Sequence, residues 1–189
     1  SYVPQNPWNR SLVAGDRIIT VSNALAQFAV SSLGADAKKI RVVYNGIDPK
    51  RFASVFHKPN IPAIAGIVGR FTPGKGHRFF LKALAILVRN NTPIRGLILG
   101  SGSVRAKKRM QTMLSSLGLT DIVSIVSGAA EQYIPHLDIL VSASTIPEGF
   151  GRTVAEAQMA GIPVIAASGG AIGELITHGE TGYLTTPGN

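Results

Sequence analysis

Two stretches of this sequence combine glycine with charge in the order that anion chemistry needs. The first, Gly69-Arg70-Phe71-Thr72-Pro73-Gly74-Lys75-Gly76, sets two cations among glycines just ahead of a helix-like run. Glycine lets a backbone approach a ligand closely. A helix N-terminus offers free N–H groups and a partial positive charge. Arg70 and Lys75 would add charge-assisted hydrogen bonds to a diphosphate. The spacing Gly69, four residues, Gly74-Lys75 nearly reproduces a P-loop. Gly76, however, stands where a Ser or Thr would bind magnesium. An ordinary basic connection fits the same residues.

The second stretch, Pro147-Glu148-Gly149-Phe150-Gly151-Arg152-Thr153-Val154-Ala155-Glu156-Ala157, follows a strand-like run and opens a helix. Gly149, Phe150 and Gly151 would leave backbone N–H groups facing a crevice. Glu148 and Glu156 bracket them. Carboxylates near a helix N-terminus are stabilised by its dipole, and they accept hydrogen bonds from hydroxyls. The layout suits a ligand carrying phosphate between two hydroxyl-rich groups, as a nucleotide sugar does. A solvated pair of glutamates has the same spacing, and the pair by itself decides little. Ser168-Gly169-Gly170 opens a further helix, either as another phosphate or sugar contact or as a plain tight turn; Glu174 then reads as a helix-surface residue. Gly100-Ser101-Gly102 lacks the third glycine of a dinucleotide fingerprint, because Arg105 occupies that place, and it follows the wrong strand.

The elements that must carry these loops alternate regularly. Strand-like runs are expected at Ala63–Gly69, Gly96–Leu99, Ile122–Val126, Ile139–Ser142, Val164–Ala166 and Tyr183–Thr185. Helices are expected over Lys75–Asn90, Val104–Leu117, Gly151–Gly161 and Ala171–Ile176. Continuous apolar strands alternating with helices predict a parallel sheet covered on both faces, a doubly wound Rossmann-like α/β fold. Its ligands sit at the carboxyl ends of the strands, where the loops above lie. Upstream, Ser1–Arg10 reads as an irregular lead-in. Strands are expected at Arg17–Val21 and Ile40–Tyr44, with a helix over Ala24–Leu33 between them. Prolines 49, 59 and 62 mark a basic linker.

Composition narrows the classes. The 189 residues are 45% hydrophobic and 15% charged, which gives a real core and excludes general disorder. The absence of cysteine excludes a disulfide scaffold, a zinc-thiolate site and a thiol nucleophile. It also fits a reducing compartment. His57, His77, His136 and His178 are scattered without paired ligand spacing, so no metal site is expected. No apolar run reaches membrane-span length. The net charge of +9 is uneven: residues 1–147 hold eighteen bases and six acids, residues 148–189 one base and four acids. A basic body concentrates anions of any kind.

The ordered set of motifs resembles the retaining glycosyltransferases of family 4, which have the GT-B fold. The resemblance runs over nearly the whole chain. It rests on Asp16–Ser22, Tyr44–Asp48, Gly69-Arg70-Phe71 with Lys75-Gly76, Glu148–Gly151 with Glu156-Ala157, Gly161–Ala166, Gly169-Gly170 with Glu174, and Thr181–Leu184. It implies a nucleoside-diphosphate-sugar donor, with UDP, GDP and ADP all open, and no metal for chemistry. Arg70 and Lys75 would neutralise the diphosphate and Glu148 would bond sugar hydroxyls. Gly149, Phe150 and Gly151 would orient sugar and phosphate, and Glu156 would hold the ribose; Gly69, Gly169 and Gly170 would line the donor site. It also implies that residues 1–50 are the tail of an acceptor domain plus linker, and that 51–189 form the donor domain without its closing helices. Expected partners are a glycan or lipid-linked acceptor and the missing N-terminal domain, with peripheral membrane contact as an option and nucleic acid excluded. The expected location is the cytoplasm, including the inner membrane face. The rivals are a P-loop-like nucleotide hydrolase, a basic nucleic-acid-binding module and another GT-B enzyme such as a sugar-nucleotide epimerase.

Overall fold

A computed structural model describes residues 11–52 and 59–189. The lead-in over residues 1–10 and the middle of the linker, residues 53–58, lie outside the described residues.

The chain opens with strand β1 (Ile18–Thr20), helix α1 (Asn23–Leu33) and strand β2 (Ile40–Val42). β1 and β2 pair in parallel, Ile18 against Ile40. Both strands are shorter than the sequence runs that announce them. Ser22 caps α1 by accepting the Leu25 N–H, and Gly34 ends it in the left-handed region. Ile18, Ala29 and Ala35 form a small core of their own. Phe52, 3% exposed, already belongs to the larger core downstream.

That larger unit runs β3 (Ala63–Val68), α2 (His77–Arg89), β4 (Ile94–Leu99), α3 (Val104–Ser116), β5 (Val123–Val126), β6 (Ile139–Ser142), α4 (Arg152–Met159), β7 (Val164–Ala167), α5 (Ile172–Leu175) and β8 (Tyr183–Thr185). Its six strands form one sheet in the order β5-β4-β3-β6-β7-β8, every pair parallel. This is the doubly wound sheet expected from the alternating pattern. From β3 the chain steps outward through β4 to β5. From β6 it steps the other way, through β7 to β8. Parallel crossovers share one hand, so the two sets of helices land on opposite faces. The apolar residues agree. Phe80, Leu81 and Leu84 of α2 and Met110 and Leu114 of α3 share a core with Ile67 and Ile98. Val154 and Ala157 of α4 and Ile172 of α5 share another with Leu140 and Val164.

Several boundaries move by one or two residues from the sequence expectation, two of them for a tertiary reason. β4 begins at Ile94 rather than Gly96, because it pairs with the whole of β3 from Ala63 onward. α2 begins at His77 rather than Lys75. Residues Pro73–Lys75 form a separate 3-10 turn, and Gly76 (φ 71°) breaks it from the helix. The stretch between β5 and β6, to which the sequence reading gave no element, folds into two 3-10 turns, Ala130–Gln132 and Ile134–His136. They place Ile134, fully buried, in the core shared with α4.

Gly76 is the tightest point of the frame. A β-carbon there would collide with the Ala143 carbonyl, and the backbone is left-handed besides. Gly76→Ala is therefore expected to lower unfolding stability by more than about 2 kcal/mol, read as a reduced denaturant midpoint at unchanged slope.

Candidate functional site at the switch point of the sheet

The strand order reverses between β3 and β6, and their following loops face each other across the crevice. In such sheets that crevice is where ligands bind. The Gly69–Gly76 loop forms one wall and Ala143–Gly151 the other. They are tied by a backbone bond from Thr145 N–H to the Gly74 carbonyl, 2.9 Å. Lys75 spans the gap: its Nζ lies 2.6 Å from Oε1 of Glu148. The Ser144 hydroxyl, buried at 6% exposure, donates to the same oxygen. Ser144 is a member of the site that sequence reading missed. Its signal, a small hydroxyl four residues before the glutamate, is too common to single out.

The backbone around Glu148 is equally constrained. Its carbonyl accepts from the Ala171 N–H at 2.9 Å. Gly170 lies so close to that carbonyl that any side chain would collide with it. The Ser168–Gly170 turn thus sits beside Glu148. Gly151 (φ 88°) caps α4 without a side-chain partner. Among the described residues, the amides of Gly149, Phe150, Gly151, Gly169 and Gly170 meet no protein acceptor. The Phe150 ring is turned into the protein and packs near Tyr44, centroids 6.4 Å apart. Arg70 is exposed, with its guanidinium unpaired among the described residues.

Glu156 is not a solvated glutamate. It is 4% exposed and accepts from Arg152 Nε at 2.7 Å. A second pair, Arg51 with Glu131, joins a 3-10 turn at the start of the linker, Pro49–Arg51, to the one after β5. The paired carboxylate raises the Arg51 pKa, and the arginine lowers that of Glu131. Neither partner was legible as a pair, since 80 residues separate them.

Two further residues hold the loops. Glu174, read from sequence as a helix-surface residue, reaches back to the start of α1. Its carboxylate accepts from the N–H of Asn23 (3.0 Å), the N–H of Ala24 (2.8 Å) and the Tyr44 hydroxyl (3.0 Å). Partial burial pushes its pKa up, but these bonds outweigh that and hold it below the usual carboxylate range. Ser22 completes the contact by donating to the Gly149 carbonyl at 2.7 Å. His77, 5% exposed, stacks edge-on against Phe71, and among the described residues neither ring nitrogen has a hydrogen-bond partner. Burial pushes its pKa down to about 4; the Gly69 backbone opposes this and the Lys75 charge adds to it.

Among the described residues no cluster of three or more His, Cys, Asp or Glu could hold a metal. None of the described helices is long and apolar enough to cross a membrane.

The sequence model of the family described as "Glycosyl transferases group 1" matches residues 50–189. The chain belongs to this family. The model described as "Glycosyltransferase Family 4" matches residues 2–51. A D-inositol 3-phosphate glycosyltransferase of Paenarthrobacter aurescens is 31% identical over 183 residues, covering 89% of this chain and 44% of the relative. An uncharacterized glycosyltransferase of Methanocaldococcus jannaschii is 31% identical over 190 residues, covering 92% and 47%. The group 1 chain thus spans about half the length of the curated relatives it matches. Anabaena HepE in complex with UDP-glucose superposes with a TM-score of 0.82 at 27% identity, covering 93% of this chain and 51% of that one. A glycosyltransferase from Rickettsia africae gives 0.84 at 26%, covering 100% and 55%. These neighbours are GT-B glycosyltransferases, and this chain has the corresponding parallel α/β sheet.

Two outcomes are expected. His77 is neutral in the folded chain, while the unfolded chain takes up its proton below about pH 6.5. Stability should fall as pH drops from about 6.5 to about 4, by up to roughly 3 kcal/mol from this residue. His77→Phe should flatten that part of the pH–stability curve in denaturant titrations. Glu174→Ala should cost about 1 kcal/mol, the usual worth of a helix cap, and deprotect the first amides of α1 to hydrogen exchange.

Proposed function

We propose that this chain supplies the donor site of a retaining glycosyltransferase, which moves a sugar from a nucleoside-diphosphate sugar to a glycan or lipid-linked acceptor. The observation that carries the reading is the Lys75–Glu148–Ser144 cluster across the switch point, set beside the unpartnered amides of Gly149–Gly151. A carboxylate fixed there can accept sugar hydroxyls. A lysine and a row of N–H groups can hold phosphate. Arg70, exposed at the same edge, adds a second cation. As the bond between the sugar's anomeric carbon and the phosphate oxygen breaks, the nucleoside diphosphate leaves with the bonding electrons. Lys75, Arg70 and the amides stabilise that developing charge. Glu156, buried and oriented by Arg152, is the ribose acceptor. Gly69, Gly169 and Gly170 allow the backbone to close around the ligand.

UDP is the first nucleotide to try, because HepE, 27% identical over most of this chain, was solved with UDP-glucose and with UDP. The division of labour follows the same reading: residues 1–50 end an acceptor domain and carry the linker, and residues 51–189 form the donor domain. A nucleotide-sugar donor and a cysteine-free chain make the cytoplasm the proposed location.

The test is thermal stability against UDP, GDP, ADP, their sugar conjugates, ATP with magnesium, and a short DNA. A ligand at 100 times its Kd stabilises by about 2.7 kcal/mol. The expected result is a raised Tm with one nucleoside diphosphate family, indifferent to magnesium and diminished in Glu156→Ala. A shift with magnesium–ATP alone, or with DNA alone, would replace this reading by the corresponding rival.

A further inference from the structure

The positive charge of this chain is concentrated in one continuous piece. From Pro49 to Thr120 there are thirteen Lys and Arg and no Asp or Glu. Seven of the ten carboxylates lie after that stretch, on Asp121, Glu131, Asp138, Glu148, Glu156, Glu174 and Glu180. The fold then gathers much of this charge on one side. α2 and α3 lie on the same sheet face, both packed into the core that holds Ile67 and Ile98. Their inner stripes are apolar: Phe80, Leu81 and Leu84 on α2, Met110 and Leu114 on α3. Their outer stripes are basic. Arg78, Lys82 and Arg89 are exposed on α2, and Arg105, Lys107, Lys108 and Arg109 on α3. None of the seven forms an ion pair among the described residues.

An unpaired basic face is costly in self-repulsion unless an anionic surface answers it. Two observations say which surface. The helices lie flat on the sheet, so neither protrudes as a groove-entering element would. No aromatic residue is exposed on them to stack a base. The exposed apolar residues among the bases are aliphatic, Ile86 at 51% and Val104 at 85%. Lysine and arginine clustered on amphipathic helices, with aliphatic side chains between them, match the headgroup layer of an anionic bilayer.

We infer that the outer face of α2 and α3 docks on an anionic phospholipid surface. This is independent of the donor reading, since no residue of the face belongs to the switch-point cluster.

The test is co-sedimentation of the chain with vesicles of pure phosphatidylcholine and with vesicles about one-third phosphatidylserine. Binding is expected to the anionic vesicles alone, and to disappear at about 0.5 M salt. The triple variant Lys82→Glu, Lys108→Glu, Arg109→Glu should weaken it at least about tenfold. A control with the same charge change on the opening unit, Arg17→Glu, Lys38→Glu, Arg41→Glu, should weaken it far less. Circular dichroism checks both folds, and a Gln version of the first triple serves if the Glu version misfolds. No binding, equal binding to neutral vesicles, or equal losses in the two triples would overturn the inference. So would a short nucleic acid that binds more tightly at the same salt and is lost in the same triple.

Discussion

Everything at the candidate site depends on one reversal of direction. Because β3 leads outward one way and β6 the other, the backbones that leave these two adjacent strands diverge to opposite faces and leave a crevice between them. The crevice is narrow, and its walls are close enough for a single lysine side chain to bridge them. That closeness dictates sequence. Gly76 and Gly170 stand where a β-carbon would meet a carbonyl of the neighbouring wall. Glycine here serves backbone-on-backbone packing, and the free amides beside it are a by-product that a phosphate can use.

What could be read from the sequence follows from how local each signal is. The six strands of the main sheet and the loops that chemistry would use were legible, because apolar runs, glycines and charges lie within a few residues of one another. The boundaries that shifted did so for tertiary reasons: β4 extends to satisfy β3, and Gly76 splits the expected helix start. Partners far apart in the chain left no trace. Glu174 and Ala24 are 150 residues apart, and Arg51 and Glu131 are 80. Ser144 was hidden for another reason, since one serine in a loop carries no pattern until its neighbours are placed. Glu156 was legible as a position but not as a buried group.

The opening segment is more than a leader to the larger sheet. Ser22 caps α1 and donates to the carbonyl of Gly149 with the same hydroxyl group. Glu174, one turn after the Gly169-Gly170 pair, satisfies the first two amides of that helix. The helix therefore has its first orphan donors answered from the loops beside the crevice, and the position of those loops is set partly by α1. Any element rigidly attached to α1 is mechanically connected to the residues next to Glu148.

The bridge between Lys75 and Glu148 leaves the two walls of the crevice electrically self-satisfied. An incoming molecule that offers only negative charge takes the lysine and leaves the glutamate with the Ser144 hydroxyl alone. One that offers only hydroxyls does the reverse. A molecule carrying both, at the right separation, exchanges one internal bond for two external ones and leaves neither partner orphaned. Under the proposed donor reading the ion pair is a coincidence detector: it would penalise half-matching visitors, such as free phosphate or free sugar, and admit the compound that presents the two together.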